Sequence, residues 1–251
     1  MFRTGNKIIF ATLLAAIVLP AGVGNSQDSS TRVAWAPSYG GSCEGCDLRG
    51  RNMSGWDISN ANYPRADLSG ALLRATRGID VDFTHAIAEF TDFRQAVLDG
   101  SSFIDAELTE ARFDKSSLLN SDFSRAVMLD VKLRGARLNG ATLRRANLTD
   151  AYAQGADFSG ANVSLAIFDN AQLKDALFTN TTMTGASFKR ARLDGADFSN
   201  VRLMEVDFTG ATGLSEANFE GACAGPLSKV PANLNLTACV PLDGTLLVDL
   251  K

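Results

Sequence analysis

Residues 136–160 read ARLNG ATLRR ANLTD AYAQG ADFSG, five consecutive pentapeptides that each open on alanine. Their third residues are Leu138, Leu143, Leu148, Ala153 and Phe158. The same frame runs without insertion from CDLRG (46–50) to VDFTG (206–210). Taking the third residue as the centre, centres fall at every fifth position from Leu48 to Phe208, 33 repeats in all. Thirteen are Leu, eleven Phe and three Met, with Ile58, Tyr63 and Val163; Gly78, Ala88 and Ala153 are the exceptions. The residue two before the centre is Ala in 20 repeats and Cys, Ser, Thr or Val in the rest, save Arg51 and Trp56. Self-similarity sustained over so many units marks a solenoid, in which each unit buries its apolar side only against its neighbours.

A period of five suits neither common element. A helix would set successive centres about 500° apart and smear them round its surface. A straight strand would alternate them between its two faces. Each pentapeptide must therefore turn a corner and bring its centre back inside, with the small residue two before it also pointing inward. The remaining three positions, which hold most of the Asp, Asn, Arg, Ser and Gly, are expected to face water.

The motif A(D/N)(L/F)xx closely resembles that of the pentapeptide-repeat family, and the resemblance covers about 165 of the 251 residues. It implies an all-β fold, a right-handed four-sided β-helix with one repeat per side and four per coil. Thirty-three sides then make about eight coils, a stack of ~40 Å at the ~4.8 Å strand spacing.

The flanks read differently. Residues 1–26 begin with Arg3 and Lys7, continue as the apolar run IIFATLLAAIVL (8–19) and leave through PAGVGNSQ, the pattern of a secretory signal peptide. The run is too short for the roughly 20 apolar residues of a membrane span. Cleavage is expected near Gly24 or Ser26, so the mature protein has no membrane span and works in the periplasm or outside the cell. Residues 27–42 read as a flexible lead and N-terminal cap, with Trp35 over the first coil; 43–221 form the β-helix; 222–251 form a C-terminal cap in which GTLLVDL (244–250) is a strand or lid.

The four cysteines lie at the two ends. Separation by the length of the stack rules out a joint zinc site and any disulfide between the pairs, because a zinc–sulfur bond is only ~2.3 Å. In an oxidising location Cys223 and Cys239 are expected to bridge and pin the cap. For Cys43 and Cys46 a structural disulfide is the leading reading, beside free thiols and redox or metal work.

Nothing in the chain points to catalysis. His85 is the sole imidazole and falls two after the centre Phe83, on the outside. No phosphate-binding glycine motif occurs. Asp47 and Asp67 share one side, where a weak cation site competes with ordinary solvated turn residues. Neither a cofactor nor a metal is expected. The formal net charge of −4 disfavours a general nucleic-acid binder.

Sorting outward positions by side gives the surface information. The first side, with Leu48, Leu68 and Leu108, carries nine acids and three bases, net −6; the second, with Met53 and Leu73, is +4. The third, with Ile58 and Leu98, is −3 and the fourth, with Tyr63 and Phe83, is +1. The first side also presents Ile87, Phe90, Val127, Leu129 and Ile167, and a protein-binding surface is expected there, including Asp67, Ile87, Glu107, Val127, Asp150, Ile167 and Asp207. The expected function is a non-enzymatic secreted or periplasmic scaffold, monomeric or paired end to end, with a protein partner. The alternative that the resemblance implies is a DNA-mimicking regulator of an enzyme such as gyrase. The signal peptide and the basic sides argue against it.

Overall fold

The computed structural model describes residues 41 and 43–240. Trp35, the segment 1–26 and the stretch 244–250 lie outside the described residues. From Cys43 onward the backbone winds in a four-sided coil, and every bridge joins a residue to the one a full coil later. Asp47 pairs with Asp67, Asn52 with Leu72, Asp57 with Arg77 and Asn62 with Asp82, all in parallel. Four backbone bonds recur from side to side, one of them from the N–H of the second corner residue to the carbonyl of the first corner residue one coil later (Gly50 to Ser69, 3.0 Å). The centre's N–H donates up the coil (Leu48 to the Asp67 carbonyl, 2.7 Å), and the preceding residue's N–H donates down it (Asp67 to the Cys46 carbonyl, 2.8 Å). The last closes the corner, from the N–H of the next small residue to the centre's carbonyl (Ala71 to Leu68, 2.8 Å). The backbone is thus satisfied along the stack rather than within any strand.

The corner explains the rest of the motif. Its second residue has positive φ, the geometry of a type II turn. Gly takes this position at Gly50, Gly70 and Gly160, and Asn, Asp or Arg at many others, such as Asn60, Asp130 and Arg145. Asp or Asn before the centre accepts the N–H two residues on, as Asp67 does from Ser69 (3.0 Å), Asp157 from Ser159 (2.9 Å) and Asn162 from Ser164 (3.1 Å). That side-chain turn fixes the entry to the corner and accounts for the recurring Asp/Asn.

Inside, the centres from Leu48 to Phe208 are buried, and the aromatic ones stack in columns. Phe83, Phe103 and Phe123 lie 4.9 and 4.8 Å apart, centroid to centroid, and Phe158, Phe178 and Phe198 lie 4.9 and 5.0 Å apart. Rings on adjoining sides meet edge to face, as Phe93 and Phe103 do at 87°. Offset stacks and perpendicular contacts are the favoured pairings of aromatic quadrupoles. Gly78, an exception in sequence, leaves no void. A Cβ there would sit 2.9 Å from Leu98 Cδ2 and 3.1 Å from Val81 Cγ2, so larger neighbours already fill the place.

The inner slot tolerates hydroxyls because each finds a carbonyl. Thr76 donates to Met53 (2.9 Å), Thr91 to Leu68 (2.7 Å) and Thr181 to Phe158 (3.0 Å). Two serines do more. Ser101 donates to the Gly78 carbonyl (2.9 Å) and accepts from the Val81 N–H (3.1 Å). Ser228 donates to the Leu203 carbonyl and accepts from the Val206 N–H (3.4 Å). In both cases a valine follows the corner, and the hydroxyl one coil on spans the gap that a turn bond would close.

One outward assignment needs correction. Asp92 is buried, only 6% exposed, because the guanidinium groups of Arg74 and Arg94 lie over it. Burial pushes its pKa up, but the bonds from Arg94 and the charge of Arg74 outweigh that and hold it below the usual carboxylate range.

At the N-terminal end Cys43 and Cys46 are disulfide-bonded, with Cα atoms 5.5 Å apart. Cys46 and Trp56 are partly buried against the first coil. At the other end the extra residue of ATGLSE shifts the pairing by one, so that Asp197 meets Asn218, and Phe219 stacks on Phe198 at 5.1 Å. The winding continues beyond residue 221. Strand β1 (Arg202–Leu203) pairs in parallel with β2 (Cys223–Ala224), and β2 with β3 (Thr237–Ala238). A 3-10 turn, Ala232–Leu234, precedes β3. Cys223 on β2 and Cys239 just after β3 form a disulfide with S–S 2.07 Å. Lys229 adds a second tie, at 2.8 Å from Asp207. Burial raises the Asp207 pKa, but bonds from Lys229 and Thr209 prevail and hold the carboxyl well below its ordinary range.

Three outcomes follow from this packing. Phe158→Asp should cost at least ~4 kcal/mol or prevent folding, since it removes a stacked ring and buries a charge, whereas Ser159→Lys should leave the melting temperature within a degree or two. Equal melting points for the two variants would overturn the inward–outward assignment. Cys239→Ser should lower stability by ~2–4 kcal/mol in denaturant unfolding, and reaction of both Cys223 and Cys239 with a thiol reagent in the native, unreduced protein would contradict the bridge. A carboxyl with a depressed pKa stabilises the fold above its unfolded pKa of ~3.9 and loses that contribution as pH falls toward its folded value. Asp207→Asn should therefore reduce the loss of stability below about pH 4, read as melting temperature against pH.

Candidate interaction surface

The sides differ in how their charges are used. On the first side the bridge column reads Asp47, Asp67, Ile87, Glu107, Val127, Asn147, Ile167, Ser187, Asp207. Six of the seven residues expected at an interaction surface stand in that single column. Asp150 stands apart, at a corner, with φ 61°.

The two ends of this side are neutralised within the chain. Arg49 lies 2.7 Å from Asp47 and 3.6 Å from Asp67 and so fills the place that a cation between them would take. Its hydrogen bonds hold Asp47 at a pKa of about 2. Asp207 is met by Lys189 at 3.7 Å and Lys229 at 2.8 Å. Between the ends, Glu89, Glu107, Glu110, Asp130 and Asp150 have no ion-pair partner among the described residues, and Asp169 is occupied by the Ser187 hydroxyl and the Lys189 N–H. From Asp67 to Asp169 the outward positions of the side hold seven carboxylates and no base.

Apolar side chains interrupt this run. Val127 and Ile167 are exposed, and Phe90 is 56% exposed. Phe90 also takes a corner with φ 57°, a conformation that bulky residues seldom adopt. The sequence placed Phe90 on the outside but gave no sign of this backbone conformation, which only the corner geometry reveals. Exposed Leu72, Leu165 and Leu177, on the other three sides, went unnoticed because they stand singly among polar residues.

The second side is basic and partly self-paired. Arg74 and Arg94 serve Asp92, and Arg134 lies 3.4 Å from Asp114. Lys132 sits 3.9 Å above the Tyr152 ring and Arg134 5.0 Å from its centre, a cation–π pairing. Arg112, Lys115 and Lys174 have no carboxylate partner among the described residues.

His85 is exposed at a corner with φ 57°. Among the described residues no group of His, Cys, Asp or Glu is arranged to hold a metal. A hollow of 420 Å³ near the C-terminal end is lined by Asn180, Thr182, Thr184, Asn200 and Arg202, and Arg202 is bound to the Val240 carbonyl at 2.9 Å. The arrangement presents flat ladders of charge and apolar groups, suited to contact rather than to enclosing a small substrate.

Among solved structures, a trypsin-treated variant of QnrB1, described as a plasmid-mediated fluoroquinolone resistance protein, matches with 20% identity and a TM-score of 0.52, covering 80% of this chain and 99% of that one. Full-length QnrB1 matches with 21% identity and a TM-score of 0.51, covering 73% and 93%. HetL, a pentapeptide repeat protein involved in heterocyst differentiation regulation in Nostoc sp. strain PCC 7120, matches with 23% identity and a TM-score of 0.33, over 72% and 86%. At these identities the likeness to QnrB1 concerns the fold. No curated protein matches the chain in sequence. The family model for pentapeptide repeats matches eight copies, over residues 79–114, 106–145, 132–170 and 171–210, which is more than half of the chain. Taken with the coil and its stacked centres, this match places the chain in the pentapeptide repeat family, whose members fold as right-handed quadrilateral β-helices.

Proposed function

We propose that this protein is an exported, non-enzymatic scaffold whose first side holds a protein partner. Pentapeptide repeat proteins are in general structural or interaction proteins, which is the background for this reading. The observation that carries it is the run from Asp67 to Asp169, acidic throughout, seeded with Ile87, Phe90, Val127 and Ile167, and fixed on a hydrogen-bonded ladder. Like charges held on neighbouring coils repel one another, and a partner bearing bases relieves that repulsion as it binds. A DNA-mimicking regulator would call for acid round the whole coil, and the net +4 of the second side and +1 of the fourth oppose it. Export rests on the arrangement of residues 1–26.

Two measurements check this. Immobilised as single chains, the protein should retain a partner from envelope extract at low salt. Glu107→Lys with Asp150→Lys should abolish retention, while Ser159→Lys on the third side should not; retention unchanged by the double reversal would overturn the assignment. In cell fractions the protein should begin at or just after Gly24, and deletion of 2–20 should keep it in the cytoplasm. Full-length protein with Met1 in envelope material would contradict cleavage.

A further inference from the structure

The first and second sides adjoin, and in the middle of the coil acids on the first stand level with bases on the second. Glu107 and Glu110 belong to one coil, where the second side carries Arg112 and Lys115. One coil further, Asp130 stands level with Lys132 and Arg134. Beyond Asp169 the first side changes sign, to Lys189 and Arg190, and on that coil the second side carries Arg192 and Asp194, which balance.

We propose that the first side docks on the second side of another copy of this chain, and that four copies close into a ring. The proposal rests on reading the first side as an interaction surface and names its partner. The contact is heterologous, because two different patches meet, so each copy offers one of each to its neighbours. Successive sides of a four-sided coil turn by about a right angle. Each added copy is therefore rotated by about 90°, and the fourth returns to the first with no patch left over.

The direction of winding decides which columns meet. Where two coils of one hand lie side by side with parallel axes, their chains cross the contact in opposite directions. The trailing corner of the first side, with Phe90, Glu110, Asp130 and Asp150, then faces the leading column of the partner's second side. That leading column, in this chain's numbers, is Leu72, Asp92, Arg112, Lys132 and Tyr152. Glu110 meets Arg112 and Asp130 meets Lys132, while on the far edge Glu107 meets Lys115. Phe90, 56% exposed, approaches Leu72, 39% exposed, one coil below, and the four Phe90 rings converge near the ring axis, where each gains apolar cover. The same geometry gives a use to Lys115 and Arg112, which have no carboxylate partner among the described residues.

The size of a side explains why closure matters. Five residues span at most ~17 Å, and six coils rise ~29 Å, so one contact covers about 500 Å² per copy. That falls below the ~800 Å² per partner of a stable pair. A ring gives every copy two such contacts and holds the second one intramolecularly.

Sedimentation equilibrium of the purified protein up to ~100 µM, at ~50 mM and ~500 mM salt, tests the ring, since exposed ion pairs weaken as the screening length shortens. The mass at low salt should be four times the mass at high salt. Glu110→Arg with Asp130→Arg should give the single-chain mass at low salt, as should Arg112→Glu with Lys132→Glu. Arginine is tolerated at such corners, where Arg65, Arg125 and Arg190 already have positive φ. An equimolar mixture of the two double variants should recover the fourfold mass, because reversed acids then meet reversed bases. A single-chain mass for the unaltered protein at low salt overturns the proposal. So does an assembly whose mass neither double variant changes, as an end-to-end pair would show. A single chain that still captures an envelope partner through Glu107 and Asp150 overturns the ring and leaves the interaction surface standing.

Discussion

Everything in this protein depends on one closure condition: twenty residues must make one circuit and arrive directly above their start. When they do, each centre can donate to the carbonyl overhead and each preceding residue to the carbonyl below. The peptide groups then hydrogen-bond along the axis, and each side needs only one bridging residue. Long strands are unnecessary, and among the described residues two-residue strands occur only toward the C-terminal end, where the pairing of β1 with β2 spans the slip of one residue. The circuit closes because a left-handed residue turns each corner and a small residue leaves room for the large one beside it. A lost corner would misplace every coil stacked beyond it.

The same condition shapes the surface. Positions twenty apart become neighbours about 4.8 Å apart, so charge that looks scattered in sequence adds up in columns. Arg125 over Asp105 and Arg134 over Asp114 are column pairs of this kind. Exposed pairs like these contribute little each to stability. Their importance lies in what they leave over: a first side whose middle has acids without bases, and a second side with bases to spare. Along the first side these leftover charges stand in ladders, which suit recognition by contact.

Much of this was legible in the residues because the period is itself the fold. The inward role of Phe158 and the outward role of Ser159 follow from counting by five. The composition of each side follows from counting by twenty. What escaped were events that break the averaging. Asp92 became buried because two arginines on its own side converge on it, which counting cannot foresee. Gly78 is an exception to the large centres, and Leu98, Val81 and Ile58 fill its place. The serine hydroxyls that close the corners at Val81 and Val206 depend on a residue a full coil away. Pairing of Arg49 with both Asp47 and Asp67 depends on side-chain reach. The winding past residue 221 was hidden because its sequence no longer keeps the period, although Cys223, Lys229 and Thr237 still lie over the coil below them.

The corners have a consequence for how far the protein lies from its most stable sequence. Most of them hold glycine, asparagine or aspartate, residues that accept positive φ at little cost. Phe90 and Leu165 do not belong to that set, yet both stand there with φ near 60°. Each gives up roughly 1 kcal/mol that asparagine or glycine would restore. Thermal engineering of this coil would therefore begin at those two sites, where substitution relieves the backbone without disturbing the interior. At Phe90 the gain in heat resistance would be set against the loss of the one aromatic ring that the acidic side offers to a partner, so durability and recognition compete there for a single residue.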